Sequence, residues 1–70
     1  MTIVRRSPIV VRPVVKYVPG GAVQMFEYHF VITLENGTTQ DITGCDNNRE
    51  RAMNAAIKHF GRIEERGYQA

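Results

Sequence analysis

The sequence predicts an α+β domain: a three-stranded antiparallel meander (β-β-β-α) with one long C-terminal helix packed on one face. Three observations carry this. Before Gly44-Cys45, β-branched and aromatic residues dominate. After it come Ala, Met, Arg, Glu and Asn, the residues of a helical segment. Strong turn signals at Pro19-Gly20-Gly21 and Glu35-Asn36-Gly37 divide the β-rich part. A chain of 70 residues has room for one domain, 1–70, read as an N-terminal arm or strand extension (1–8), a sheet (9–43) and a helix (46–66).

The first strand is expected from Ile9 to Val18, or from Ile3 if the arm extends it. It contains Pro8 and Pro13, which cannot donate to a ladder, so it belongs at an edge or is bent. The second strand, Ala22 to Leu34, is long and uninterrupted and should be central. Its even face carries Phe26, Tyr28, Phe30, Ile32 and Leu34, the strongest core stripe in the chain. The third strand is expected over Thr38 to Thr43.

The second turn sets the register. A two-residue Asn36-Gly37 loop pairs Glu35 with Thr38 and puts Ile42 on the face opposite Phe30. A three-residue loop, with a type I turn and Gly37 at positive φ, pairs Leu34 with Thr38 and sets Ile42 beside Phe30. The second is preferred, because a one-residue slip inverts the apolar pattern. In strand one, Ile9, Val11, Val15 and Tyr17 share a face and are expected to join the same core.

The helix is expected from about Asn47 to Arg66. Asp46 and Asn47 are both good N-caps, and Asn47 with Glu50 three residues on resembles a capping box. Ala52, Met53, Ala56, Ile57, Phe60 and Ile63 supply the apolar face. Two endings compete, at Gly61 and at Gly67. The second is preferred, since it brings Tyr68 within reach of Ile63 in a Schellman-type ending.

Composition excludes several classes. Apolar residues at 43% and charged residues at 23% are a globular mixture. Nine basic side chains against seven acidic ones leave a net charge of only +2. No apolar run approaches the roughly 20 residues of a membrane span, and no secretory signal follows Arg5-Arg6. One cysteine forms no internal disulfide, which points to a reducing, cytoplasmic setting.

Cys45, Asp46, His29 and His59 lack the spacing of a zinc site, and no cofactor is expected. Cys45 reads as a small buried residue at the strand-to-helix junction. His29 reads as a cross-strand partner on the face away from the core. His59 reads as a solvated residue near the helix end. No glycine loop opens a helix, Glu64 and Glu65 read as surface ion-pair residues, and no catalytic constellation can be placed. A non-enzymatic role is therefore expected.

Two binding surfaces remain. One helix covers only one face of such a sheet, so Val10, Val14, Met25 and Val31 are left as a candidate protein interface, with Val14 and Met25 near its centre. That surface predicts a homodimer or attachment to a larger protein, and a role as an inhibitor or accessory factor of the kind phages encode. The alternative is a sheet-based DNA or RNA binder whose phosphate contacts come from Arg5, Arg6, Arg12 and Lys16. It ranks second because Glu27 lies on the face that carries Arg12 and Lys16 and the net charge is small.

Overall fold

The computed structural model describes residues 1–68 and has the predicted class: an antiparallel sheet and one C-terminal helix. The elements are β1 (Ile3–Arg6), β2 (Val10–Val18), β3 (Gly21–Leu34), β4 (Thr39–Asp46) and α1 (Arg49–Arg66). β3 is the central strand. β1 and β2 lie end to end along one of its edges, β1 against its last residues and β2 against Gly21 to His29. β4 pairs with the other edge, from Phe26 to Thr33.

The expected first strand is thus two strands, broken at Ser7-Pro8-Ile9. Pro8 brings no donor to the ladder. Ser7 repairs the gap: its amide donates to Val31 O at 2.9 Å, and its hydroxyl accepts from Val31 N at 2.8 Å. Pro13 lies within β2, opposite Phe26. The Val18–Gly21 pair closes the Pro19-Gly20 turn, where Gly20 holds φ 93 as a type II turn requires. Alternation of bonded pairs from there turns the nitrogen of Pro13 to the outer edge, where no donor is missed.

The register across the second turn is the preferred one. Leu34 N donates to Thr38 O and Gly37 N to Leu34 O, both at 2.9 Å, with Gly37 at φ 88. Phe30 faces Ile42 and Ile32 faces Gln40. β4 runs on to Asp46, three residues past the expected end, because Gly44 opposite Tyr28 still pairs.

The core is Tyr28, Phe30, Ile32, Leu34 and Ile42 from the sheet with Ala52 and Ala56 from the helix. Phe30 stacks near Tyr28 and meets Phe60 edge-on, with ring centroids 6.3 and 6.0 Å apart. Ala52 and Ala56 are fully buried, and their small side chains let the helix backbone approach the sheet. Burial of each large apolar side chain contributes about 1.5 to 3 kcal/mol.

Two parts of the expected core are not in it. Val15 and Tyr17 are exposed, Tyr17 by 86%. They lie beyond the reach of α1, on a β2–β3 ribbon that neither β4 nor the helix backs. The molecule measures 45 × 20 × 18 Å, in keeping with a projecting arm. Met53 and Ile57 are exposed as well, because the apolar stripe of the helix is wider than the sheet beneath it.

Both helix ends differ in detail from expectation. The N-cap is Asn48, whose side chain accepts from Arg51 N at 2.8 Å. Asn47 instead donates its amide to Asp46 Oδ1. The helix passes through Gly61 and stops at Gly67, φ 76. With ψ 156 at Gly67 the ending is not a Schellman turn. Tyr68 N donates to Met1 O at 2.9 Å, and the Met1 amino group donates to Tyr68 O at 3.0 Å. The N-terminal segment takes the place of the last helical carbonyls.

These endings set opposite signs for two substitutions. A Cβ at Gly61 meets nothing within 4 Å, so Gly61→Ala is expected to stabilise by about 0.5 to 1 kcal/mol. Gly67 has a positive φ, and a Cβ there would stand 3.3 Å from Met1 N. Gly67→Ala should destabilise by about 1 kcal/mol or more. Urea midpoints shifted in the same direction by both variants would contradict this helix ending.

Candidate binding surfaces

The open face of the sheet is built by strand alternation. Val10, Arg12, Val14, Lys16 and Val18 of β2 stand beside His29, Glu27, Met25, Val23 and Gly21 of β3. Val14 and Met25 are direct partners on this side, both half-buried, while Val10, Val18 and Val23 are exposed. Val31, opposite Asp41, belongs to the same face. Val14 and Met25 lie on the projecting ribbon rather than at the centre of the face, since β4 pairs β3 only from Phe26 onward. The inner part of the face is more polar. Arg12 Nη2 donates to Glu27 Oε1 at 3.0 Å, and His29 Nε2 lies 3.6 Å from Asp41 Oδ1. His29 is therefore the cross-strand partner its position implied.

The four cations suggested for nucleic acid are dispersed. Arg12 is held by Glu27. Arg6 lies on the helix side, its guanidinium 5.0 Å from the centre of the Phe60 ring. Arg5, opposite Thr33, and Lys16, opposite Val23, stand at opposite ends of the sheet.

A second surface runs along the other side of the helix. A groove of about 620 Å³ is lined by Tyr28, Asp46, Arg51, Asn54, Ala55, Lys58, His59 and Arg62. Gly44 makes it possible. An added Cβ there would come within 2.4 Å of the Tyr28 ring, so the ring leans across β4 only because that position has no side chain. The Tyr28 hydroxyl meets His59 Nδ1 at 2.7 Å. His59 is half-buried between Tyr28 and Phe30, not the solvated residue expected from its place in the helix. Cys45, expected to be buried, is exposed, because odd positions of β4 face away from the core.

Helical spacing explains the charge of this groove. Arg51, Lys58 and Arg62 fall within a narrow sector at 100° per residue, with Glu65 one turn beyond Arg62 on the same side, whereas Glu50 lies farther round and Glu64 on the opposite flank. None of the three cations forms an ion pair among the described residues. The basic residues were visible in the sequence, but they read as diluted by glutamates until the flank facing β4 was known.

Burial pushes the Tyr28 hydroxyl above its ordinary value of 10.0, with the Arg62 charge pulling against it. The folded state therefore keeps the proton where the unfolded chain begins to lose it. This stabilisation is present below about pH 10 and is lost as pH rises through the folded value. Stability should decline above about pH 10, and Tyr28→Phe should remove part of that decline. Urea midpoints followed from about pH 8 to 11 read the difference; parallel curves for the two proteins would count against it.

Among the described residues no group of three or more His, Cys, Asp or Glu could hold a metal ion, and no helix is long and apolar enough to cross a membrane. The chain matches no protein-family model, no curated protein and no solved structure.

Proposed function

We propose that this chain is a non-enzymatic protein-binding module that associates with a second copy of itself through the open face of the β2–β3 ribbon. One observation carries the reading: Val14, Val18, Val23 and Met25 share the unbacked end of that face. Lys16 is the only charged side chain from position 13 to 26. Of the nine exposed large apolar residues among those described, three (Val10, Val18, Val23) stand on this open face and two more (Val15, Tyr17) on the other side of the same ribbon. A nearly uncharged patch is compatible with its own copy across a two-fold axis, and one patch then serves both subunits. A domain this small also gains proportionally more from covering such a surface. An inhibitor or accessory role through protein contacts is the form of activity such a module supports.

Light scattering tests the reading. The wild type should be dimeric at about 100 μM, and Val14→Lys or Met25→Lys should give folded monomers, since each places a charge in the contact at a cost of a few kcal/mol. A wild type that stays monomeric would overturn it.

A further inference from the structure

The free edge of β4 and the helix flank beside it form a surface that the self-association reading does not use. Among the described residues β4 pairs with β3 alone. Starting from the Leu34–Thr38 bonds, the alternation of an antiparallel ladder directs the backbone groups of Gln40, Ile42, Gly44 and Asp46 to β3. Those of Thr39, Asp41, Thr43 and Cys45 point outward. The two edges of the sheet are not equivalent. The β1–β2 edge is broken at Pro8 and lacks a donor at Pro13. β4 contains no proline and no lysine, and of its two charged residues only Asp41 has an outward-pointing backbone.

The helix begins just after β4 and ends at Arg66, and Tyr68 just beyond it bonds to Met1, beside the end of β3 that pairs with β1. It therefore runs antiparallel to β4 over the sheet, and Arg51, Lys58 and Arg62 lie on the flank that shares a groove with Tyr28 and Asp46 at the end of β4. We propose that the free edge of β4 takes an extended acidic segment of another protein, which adds to β4 as a further strand and sets alternate carboxylates against Arg51, Lys58 and Arg62.

The spacing of Lys58 and Arg62 suits this, and the long side chain of Arg51 spans the wider interval before them. Same-side residues of a strand recur every ~6.8 Å. Lys58 and Arg62 are one helical turn apart, about 6 Å along the axis. Backbone pairing supplies affinity and the carboxylates supply selectivity. A second copy is a poor occupant here, because pairing β4 with β4 would bring two rows of unpaired cations together on the same side of the joined sheet. A nucleic-acid backbone is also a poor fit, because it has no amide donors to pair with the outward carbonyls of β4.

The probe is a fluorescent peptide that alternates Glu with Val over the length of β4, 8 residues. Anisotropy should show saturable binding that weakens with salt. Hydrogen exchange at Thr39, Asp41, Thr43 and Cys45 should slow in the complex. Replacing both Lys58 and Arg62 with Glu should weaken binding about tenfold or more, with circular dichroism unchanged because both side chains are exposed. Methylating alternate peptide nitrogens, on the edge that faces β4, should abolish binding while leaving every carboxylate in place. Binding without protection of those four amides would overturn strand addition, as would a Lys/Val peptide that binds equally well. Tighter binding of an oligothymidine of similar length would assign the groove to nucleic acid instead. These readouts are made on β4, so a monomeric wild type in light scattering leaves them unaffected.

Discussion

Phe30→Ala is expected to lower the stability of the domain by about 3 to 5 kcal/mol, the largest loss of any single truncation in the core. Phe30 is fully buried and lies at the meeting point of three rings, Tyr28, His59 and Phe60. Truncating such a residue costs about 3 to 5 kcal/mol, because the lost transfer energy is joined by the energy of the cavity left behind. A chain of 70 residues has a total stability of roughly 4 to 10 kcal/mol. The loss is therefore comparable with the whole. The core cannot close the gap easily, since the facing helix residues Ala52 and Ala56 are already small and close. Phe30→Leu keeps most of the volume and should cost about 1 to 1.5 kcal/mol, leaving a cooperative urea transition. A loss under about 2 kcal/mol for Phe30→Ala would mean that the centre of the core lies elsewhere.

The stripe that places Phe30 was legible because period-two alternation needs only the chain itself. The same holds for the Gly37 turn, where Ile42 could reach the core in only one of the two registers, and for Gly67, which had the better apolar neighbour. Alternation assigns a face but not the extent of its cover. β3 has 14 residues, roughly 47 Å of strand, whereas α1 has 18 residues, about 27 Å of helix. The helix covers the half that carries Tyr28 to Leu34, so Val15 and Tyr17 have the right parity and no partner. The N-cap was off by one because Asp46, Asn47 and Asn48 can all cap, and Glu50 three residues on favoured Asn47. The groove beside β4 was the least legible feature. It depends on a missing side chain at Gly44, on where the Tyr28 ring leans, and on which helix flank faces the edge. None of these leaves a periodic signal.

Gly44→Ala is expected to destabilise the fold by about 1 to 3 kcal/mol, against the usual trend for this exchange. Replacing glycine by alanine in a strand normally helps by about 0.5 to 1 kcal/mol, through lower unfolded-state entropy. Here the added Cβ would stand 2.4 Å from Cζ and from the hydroxyl of Tyr28, and 2.5 Å from Cε2. Gly44 and Tyr28 are cross-strand partners, so backbone pairing holds the two residues in place and the ring must swing away. An aromatic ring laid over a glycine on a neighbouring strand stabilises a sheet in its own right. Swinging the ring also breaks the 2.7 Å bond to His59 and disturbs its packing on Phe30. The atoms responsible are the far end of the tyrosine ring, so the penalty should vanish when they are removed. In a Tyr28→Val background, Gly44→Ala should be neutral or mildly stabilising, and the double-mutant cycle should give a coupling of about 1 to 3 kcal/mol. The same loss in both backgrounds would show that Gly44 is required for the β4 backbone itself and not for the ring that lies across it.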